Sequence, residues 1–194
     1  LKEVMQMDIE TAFIEDEEGA LCFAEGVINH IYKEVIEKCP EHLEALGRKL
    51  EAPKIPFKRM DYTAALEFLD KEGVHIEWGE DLTPEAEKTL GKHYSHLIVK
   101  KWPTKIRAFY SMPEPGNEKI CRGYDMLIEG MEAMSGAQRI HKHDDLVAQM
   151  RRRGMNPENF KFYLDAFKYG MPSHAGWSFG LERLTMLICG LKNI

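Results

Sequence analysis

Tyr124 to His141 reads YDMLIEGMEAMSGAQRIH. Two acids, Asp125 and Glu132, precede an expected small-residue turn, Ser135-Gly136-Ala137, and then an arginine, Arg139. Acids, small residues and an arginine in so short a span suit a site that handles a divalent cation such as Mg²⁺ together with an anion. Mg²⁺ usually takes one or two carboxylates and fills its shell with water and phosphate oxygens. An arginine fork meets a carboxylate or phosphate through two parallel hydrogen bonds. The competing reading is a solvated face, where acids and arginines are common.

Spacing supplies a geometric test. Asp125 and Glu132 lie an odd number of positions apart, so on a flat strand they point to opposite faces. On a helix they share a face. Gly130 falls between them, and a glycine inside a strand often marks a bulge. Either the segment is helical, or a bulge near Gly130 brings both carboxylates to one side.

Working outward, the chain has 194 residues and a net charge of −6, a length that suits one domain, or one and a half, with a core of ordinary size. With 44% apolar and 30% charged residues it folds rather than remaining disordered. No apolar run approaches the ~20 residues of a membrane span, and no secretory signal opens the sequence. Cys22, Cys39, Cys121 and Cys189 are scattered without a CxxC pair, which fits a reduced, cytoplasmic compartment. The acidic balance argues against broad nonspecific nucleic-acid binding. Leu1 is not methionine and Ile194 closes the sequence without a tail, so a segment of a longer protein is expected.

Met5 to Phe13 alternates weakly and reads as a strand, with Asp8 and Glu10 projecting together either into solvent or onto the floor of a polar pocket. Glu15 to Cys39 carries apolar residues at helical spacing (Leu21, Ala24, Ile28, Ile31, Val35) and ends before Pro40. A second helical piece is expected over Glu44–Leu50, a strand over Lys54–Met60, and a helix over Asp61–Lys71 with Asp61 as N-cap and Gly73 beyond its end. Thr83 caps a helix with Pro84 at its first position. Strands are expected over Ser95–Lys100, Arg107–Met112 and Cys121–Met131, with a turn over Pro113–Asn117. Helices follow over Asp144–Arg153 and from Asn156-Pro157 to Tyr169. The run Arg151-Arg152-Arg153 reads as a solvated helix face, or else as a contact for a phosphate backbone. His141-Lys142-His143-Asp144-Asp145 lacks the partners of a tetrahedral metal set.

The final block, HAGWSFGLERLTMLICG, places Gly176 and Gly180 on either side of a short extended piece, with a helix opening near Leu181 and Arg183 in its first turn. Glycines allow close approach of a flat ligand, and a helix start with an arginine favours phosphate. A nucleotide site and a purely structural turn both fit this pattern.

Three blocks, LKEVMQMDIETAF at Leu1–Phe13, MEAMSGAQRIH at Met131–His141 and HAGWSFGLER at His174–Arg183, resemble class II aspartyl-tRNA synthetases of the archaeal and eukaryotic type. AFYSMPEP at Ala108–Pro115 and GLKNI at Gly190–Ile194 fit the same family, and the resemblance runs the length of the chain. It implies an α+β fold, a large antiparallel sheet flanked by helices. It implies an aspartate–tRNA ligase that forms aspartyl-adenylate from aspartate and ATP, then passes the aspartyl group to tRNA-Asp, with tRNA-Asn left open as a second acceptor. By the same resemblance Arg139 and Asp8 belong to the aspartate pocket, and Asp125 and Glu132 hold Mg²⁺. Glu3, Glu132, Ser135, Gly176, Gly180 and Arg183 surround ATP, and Arg183, Glu132 and Asp125 form the catalytic set.

Matched to the family, residues 1–194 span the catalytic domain from within motif 2 through motif 3. The α-phosphate arginine of motif 2, the dimer-forming motif 1, the loop that closes over aspartate, the lysine beside Arg139 and the anticodon-binding domain have no counterpart in the sequence. The resemblance therefore implies a homodimeric parent and little pyrophosphate exchange by the segment alone. Val4 stands where many relatives carry an aromatic residue, Ser178 where glycine is usual and Ser173 where proline is usual. Two rival readings are an asparaginyl-tRNA synthetase, which typically has a GGSQRE-like block in place of SGAQRIH, and a catalytically silent synthetase-like binding module. A silent module has no need to retain Asp125, Glu132, Arg139 and Arg183 together.

Overall fold

In the computed structural model, which describes residues 3–194, the acid-bearing stretch is a β-hairpin. Strand β6 (Gly123–Ile128) turns through Glu129-Gly130 into β7 (Met131–Gln138). Both turn residues have positive φ, 50° and 77°, as tight two-residue hairpin turns require. Gly130 is thus the turn and not a bulge. The bulge lies further on, where Met126 faces Met134 but Leu127 faces Glu132, leaving Ala133 as the extra residue. That one insertion reverses the parity of β7 and puts Glu132 on the same face as Asp125 and Ser135.

The hairpin sits at the centre of a six-stranded sheet in the order β1-β8-β7-β6-β3-β2. Strand β1 is Gln6–Ala12, β2 Lys58–Asp61, β3 His96–Lys100 and β8 His174–Gly180. All neighbours are antiparallel except β2 and β3, which run parallel. A two-stranded ribbon, β4 (Pro113–Glu114) with β5 (Asn117–Cys121), stands apart and brackets the expected turn.

Helix α1 (Glu17–Lys38) starts where Asp16 accepts the Glu18 N–H at 3.0 Å. Its stripe of Leu21, Ala24, Ile28 and Tyr32 packs on Ile98, Met126, Ile128, Met134, Trp177 and Phe179, and α7 (Leu181–Cys189) adds Leu184 and Leu187 to this core. On the opposite face α3 (Tyr62–Lys71) and α4 (Pro84–Gly91) cover Leu97, Val99 and Leu127. A third small cluster joins α5 (His143–Arg152) and α6 (Lys161–Phe167) through Leu146, Met150, Leu164 and Phe167.

Several local expectations shift. The helical piece after α1 is α2, Pro40–Ala45, because Pro40 serves as a first-turn residue and does not merely follow α1. The strand expected over Lys54–Met60 begins only at Lys58. Arg107–Met112 is not a strand: a short 3-10 turn, Thr104–Ile106, leads into a loop that touches the sheet by one bridge, Ser111 to Arg139. Its carbonyls are held elsewhere, those of Arg107 and Thr104 both accepting from the Arg153 guanidinium. Arg153 is therefore neither free in solvent nor available to a phosphate backbone.

Helices α3 and α4 shelter the β2-β3-β6 half of their face and the start of β7. On the remaining half, β7, β8 and β1 present Ser135 and Ala137, then Gly176, Ser178 and Gly180, then Gln6, Asp8 and Glu10. Side chains this small or polar give a helix nothing to bury, so the floor stays open.

The hairpin turn is clamped by a glycine–glycine contact: a Cβ on Gly91 at the end of α4 would stand 2.3 Å from Gly130 Cα. Gly91→Ala forces backbone apart, and overpacking of about 1–3 kcal/mol exceeds the small propensity gain at a helix end. A Cβ at Gly26 in α1 meets nothing within 4 Å, so Gly26→Ala should stabilise by about 0.5–1 kcal/mol. Urea unfolding of the two variants checks both signs. Equal stabilisation by the two substitutions would show that the contact is slack.

Candidate active site

At the edge of the open floor, Arg107 lines the cleft above it, reaches back to β6 and grips Asp125 with two bonds, Nη1 to Oδ2 at 2.8 Å and Nη2 to Oδ1 at 2.6 Å. The same guanidinium donates to Ser135 Oγ at 3.0 Å and lies over the Trp102 ring, 5.0 Å from its centroid. Asp125 is 2% exposed, so this is a buried, fully paired ion pair.

Glu132 lies beyond it on the same face. Its backbone N–H donates to Glu87 of α4 at 2.9 Å, its carbonyl accepts from Arg183, and its carboxylate stands 3.9 Å from that arginine. Burial, the Asp125 charge and the Glu87 charge push the Glu132 carboxyl up to about 7, with Arg183 and Arg107 opposing. Burial likewise raises Glu87. A carboxylate crowded by two others and only partly compensated is a place where a cation is favourable.

Arg139, just past the end of β7, meets Glu10 of β1, with Nη2 to Oε1 at 2.7 Å and Nε to Oε2 at 3.5 Å, and lies over the Tyr110 ring at 4.9 Å. Glu10 can cross β8 only because position 176 is glycine: a Cβ there would fall 1.9 Å from Glu10 Oε1. Gly136 is the stricter case, since a Cβ would lie 2.4 Å from the buried Tyr124 ring and 2.5 Å from the Gly176 backbone carbonyl, whereas a Cβ at Gly176 meets only the end of the Glu10 side chain.

Two clefts open on this surface. One of about 460 Å³ is lined by Asp8, Glu10, Tyr110, Ser135, Arg139 and Ser178. The other, about 360 Å³, is lined by Val4, Glu132, Ser135, Ser178, Gly180 and Arg183. Ser135 and Ser178 border both, so the clefts meet along β7 and β8. The Ser178 hydroxyl is buried and has no protein partner among the described residues, at the point where the clefts join.

Of the residues singled out from sequence, Asp8, Ser135 and Arg139 converge on the first cleft, and Glu132, Ser135, Gly180 and Arg183 on the second. Asp125 lies below them, under Arg107. Gly176 shapes the floor without lining either cleft, and Glu3 is exposed and outside both. Arg107 is not among the site residues expected from sequence, and Glu10 is expected only as an acid facing either solvent or the floor of a polar pocket. Arg107 gave no signal, because its loop reads as a strand. Glu10 did give one, its shared parity with Asp8 on β1.

Among the described residues no cluster of three or more His, Cys, Asp or Glu forms a ready metal site. Glu132 fits a cation ligand by its position and crowding. Both Asp125 oxygens already accept from Arg107, so Asp125 fits only by sharing them.

With this geometry in view, the comparisons are consistent. The family model for class II tRNA synthetases (D, K and N) matches residues 1–194. The chain belongs to this class II synthetase family. It is 43% identical over its whole length to the Methanopyrus kandleri aspartate–tRNA(Asp/Asn) ligase, of which it covers 45%, and 42% identical to the Thermococcus kodakarensis aspartate–tRNA(Asp) ligase, of which it covers 46%. It thus spans somewhat under half the length of these relatives. The aspartyl-tRNA synthetase of Entamoeba histolytica superposes with a TM-score of 0.90 at 32% identity, over 98% of this chain and 41% of that one. The Pyrococcus horikoshii asparaginyl-tRNA synthetase bound to asparaginyl-adenylate gives 0.90 at 27%, over 100% and 46%.

The raised Glu132 has a definite sign. Between its ordinary 4.5 and about 7 the folded chain holds this proton more tightly than the unfolded chain. Its contribution to stability is complete below about 4.5 and is lost as pH climbs toward 7 and above. Glu132→Gln should therefore gain stability relative to wild type as pH rises from 5 to 8, read as the difference in urea midpoints. Parallel pH profiles for the two proteins would place the titration elsewhere.

Proposed function

We propose that this chain is the catalytic core of an aspartate–tRNA ligase. The observation that carries the reading is the meeting of an arginine-based carboxylate cleft with a second cleft holding an arginine and a crowded acid, across Ser135 and Ser178. The first suits the side chain of aspartate. Glu10 occupies one edge of the Arg139 fork, and the remaining guanidinium hydrogens are available to a second carboxylate. The second suits ATP, with Arg183 against its phosphates.

In this reading the α-carboxylate of aspartate attacks the α-phosphorus of ATP. The new C–O–P linkage is aspartyl-adenylate, and pyrophosphate leaves. A hydroxyl of the terminal adenosine of tRNA-Asp then attacks the aspartyl carbonyl and AMP departs. Both steps depend on positioning and on charge neutralisation more than on proton transfer. Mg²⁺, when bound with ATP, would add positive charge to the phosphates, and Glu132 would hold it with Asp125 contributing at most a shared oxygen. The Methanopyrus relative is named for two acceptors and the Thermococcus relative for one; charging assays with both tRNAs decide between them here. An asparaginyl enzyme is the second reading, favoured by the equal TM-score of the Pyrococcus structure. An asparagine amide would turn its NH₂ toward the Arg139 donors and leave a hydrogen bond unmade, which costs on the order of 1–3 kcal/mol.

Arg139→Leu, made in the full-length protein, should abolish aspartate-dependent pyrophosphate exchange while ATP binding persists through Arg183 and Glu132. Lysine should rescue poorly, since it offers a point charge in place of a fork. Exchange assays and ATP titrations on the same preparations provide the check. Near wild-type exchange, or ATP binding lost in step with exchange, would remove Arg139 from the aspartate cleft.

A further inference from the structure

A third cavity, about 510 Å³, shares no lining residue with either cleft of the candidate site. It opens on the α1 face of the sheet, beside the start of β3 and the Glu129 turn. Two polar atoms at its base lack any protein partner among the described residues, the Tyr32 hydroxyl and His96 Nε2. Tyr32 is only 2% exposed. Buried polar groups are nearly always paired, so two orphans lining one cavity point to something that pairs them.

The rings carrying these atoms stand edge to face at 5.9 Å between centroids, and both line the same cavity. Phe57 lies against His96 at 4.9 Å, and Leu50, Ala52 and the prolines beside it complete an apolar wall. Burial pushes the Tyr32 hydroxyl up to about 12, Glu129 adding to the effect and Arg48 opposing it, so it is a proton donor at neutral pH. Burial lowers His96, with the Glu129 charge opposing, which favours the neutral imidazole. Its Nδ1 lies 3.3 Å from Ser95 Oγ; with the serine hydroxyl donating there, Nε2 carries the proton. The base then offers two donors.

Charge at the rim has one net sign. Arg48 and Glu129 are paired at 2.6 Å and cancel. Lys49, Lys54 and Lys58 then face the single acid Glu51. Two donors at the base, an apolar wall carrying one ring, Phe57, and a cationic rim together describe a ligand with a negative oxygen-bearing head and a flat apolar body.

We propose that this cavity binds a small aromatic carboxylate, with its oxygens on the Tyr32 hydroxyl and the His96 imidazole and its ring against Phe57. The volume lies within the range of small-molecule sites. The probe is benzoate, titrated by calorimetry and followed on the His96 imidazole signals by NMR, with benzamide as the neutral isostere. Benzoate should bind at roughly millimolar concentration and move the His96 signals, with benzamide about tenfold weaker. Tyr32→Phe should weaken benzoate about tenfold and leave the ligand-free unfolding midpoint unchanged or higher, because it deletes an unpaired hydroxyl. Equal affinity for benzamide, unaltered benzoate binding by Tyr32→Phe, unmoved His96 signals, or no binding at tens of millimolar overturns the proposal. So does a clear loss of ligand-free stability in Tyr32→Phe, since it would mean that the hydroxyl already has a partner.

Discussion

The pairing of Arg107 with Asp125 is the interaction on which the site depends. It is buried, made through both carboxylate oxygens, and extended to Ser135 by a third bond. Deleting one member of such a pair leaves a bare charge in low dielectric and costs about 3–5 kcal/mol. The pair also joins two parts of the chain that have no ladder between them, the loop after β3 and the central hairpin. It uses up the charge of Asp125 inside the protein, so Glu132 is the acid left to answer to whatever occupies the floor.

The same logic recurs strand by strand. Arg139 faces Glu10, and Arg183 faces Glu132. Each arginine is held by an acid that only partly saturates it. A substrate carboxylate or phosphate can therefore enter without the protein having exposed an uncompensated cation beforehand, and the donors are oriented before it arrives. Gly136 and Gly176 belong to this arrangement: they let the Tyr124 ring and the Glu10 carboxylate lie directly on β7 and β8.

Much of this was legible in the residues. The open face follows from the side-chain inventory of β1, β7 and β8, and α1, α3, α4 and α7 follow from apolar spacing and caps. The same-side placement of Asp125 and Glu132 was legible only as a choice between two geometries. A bulge was one of them, but Gly130 drew attention to the wrong residue, because a glycine serves a hairpin turn as readily as a bulge and Ala133 has no distinguishing chemistry. Arg107 was hidden for a different reason. Its neighbours Ile106, Ala108, Phe109 and Tyr110 have strand-like composition, and the bonds from Arg153 that pull the loop off the sheet are made across a distance in sequence no periodicity reports.

Arg153 leads to a property of the site as a whole. Helix α5 leaves the sheet just after Arg139, and Arg153, at its far end, holds the carbonyls of Thr104 and Arg107. The helix is thus a strut between the two ends of the arginine array, rigid over its length and pinned at both. The separation between the arginine that faces Glu10 and the arginine that holds Ser135 is therefore set by one helix and the contacts at its two ends.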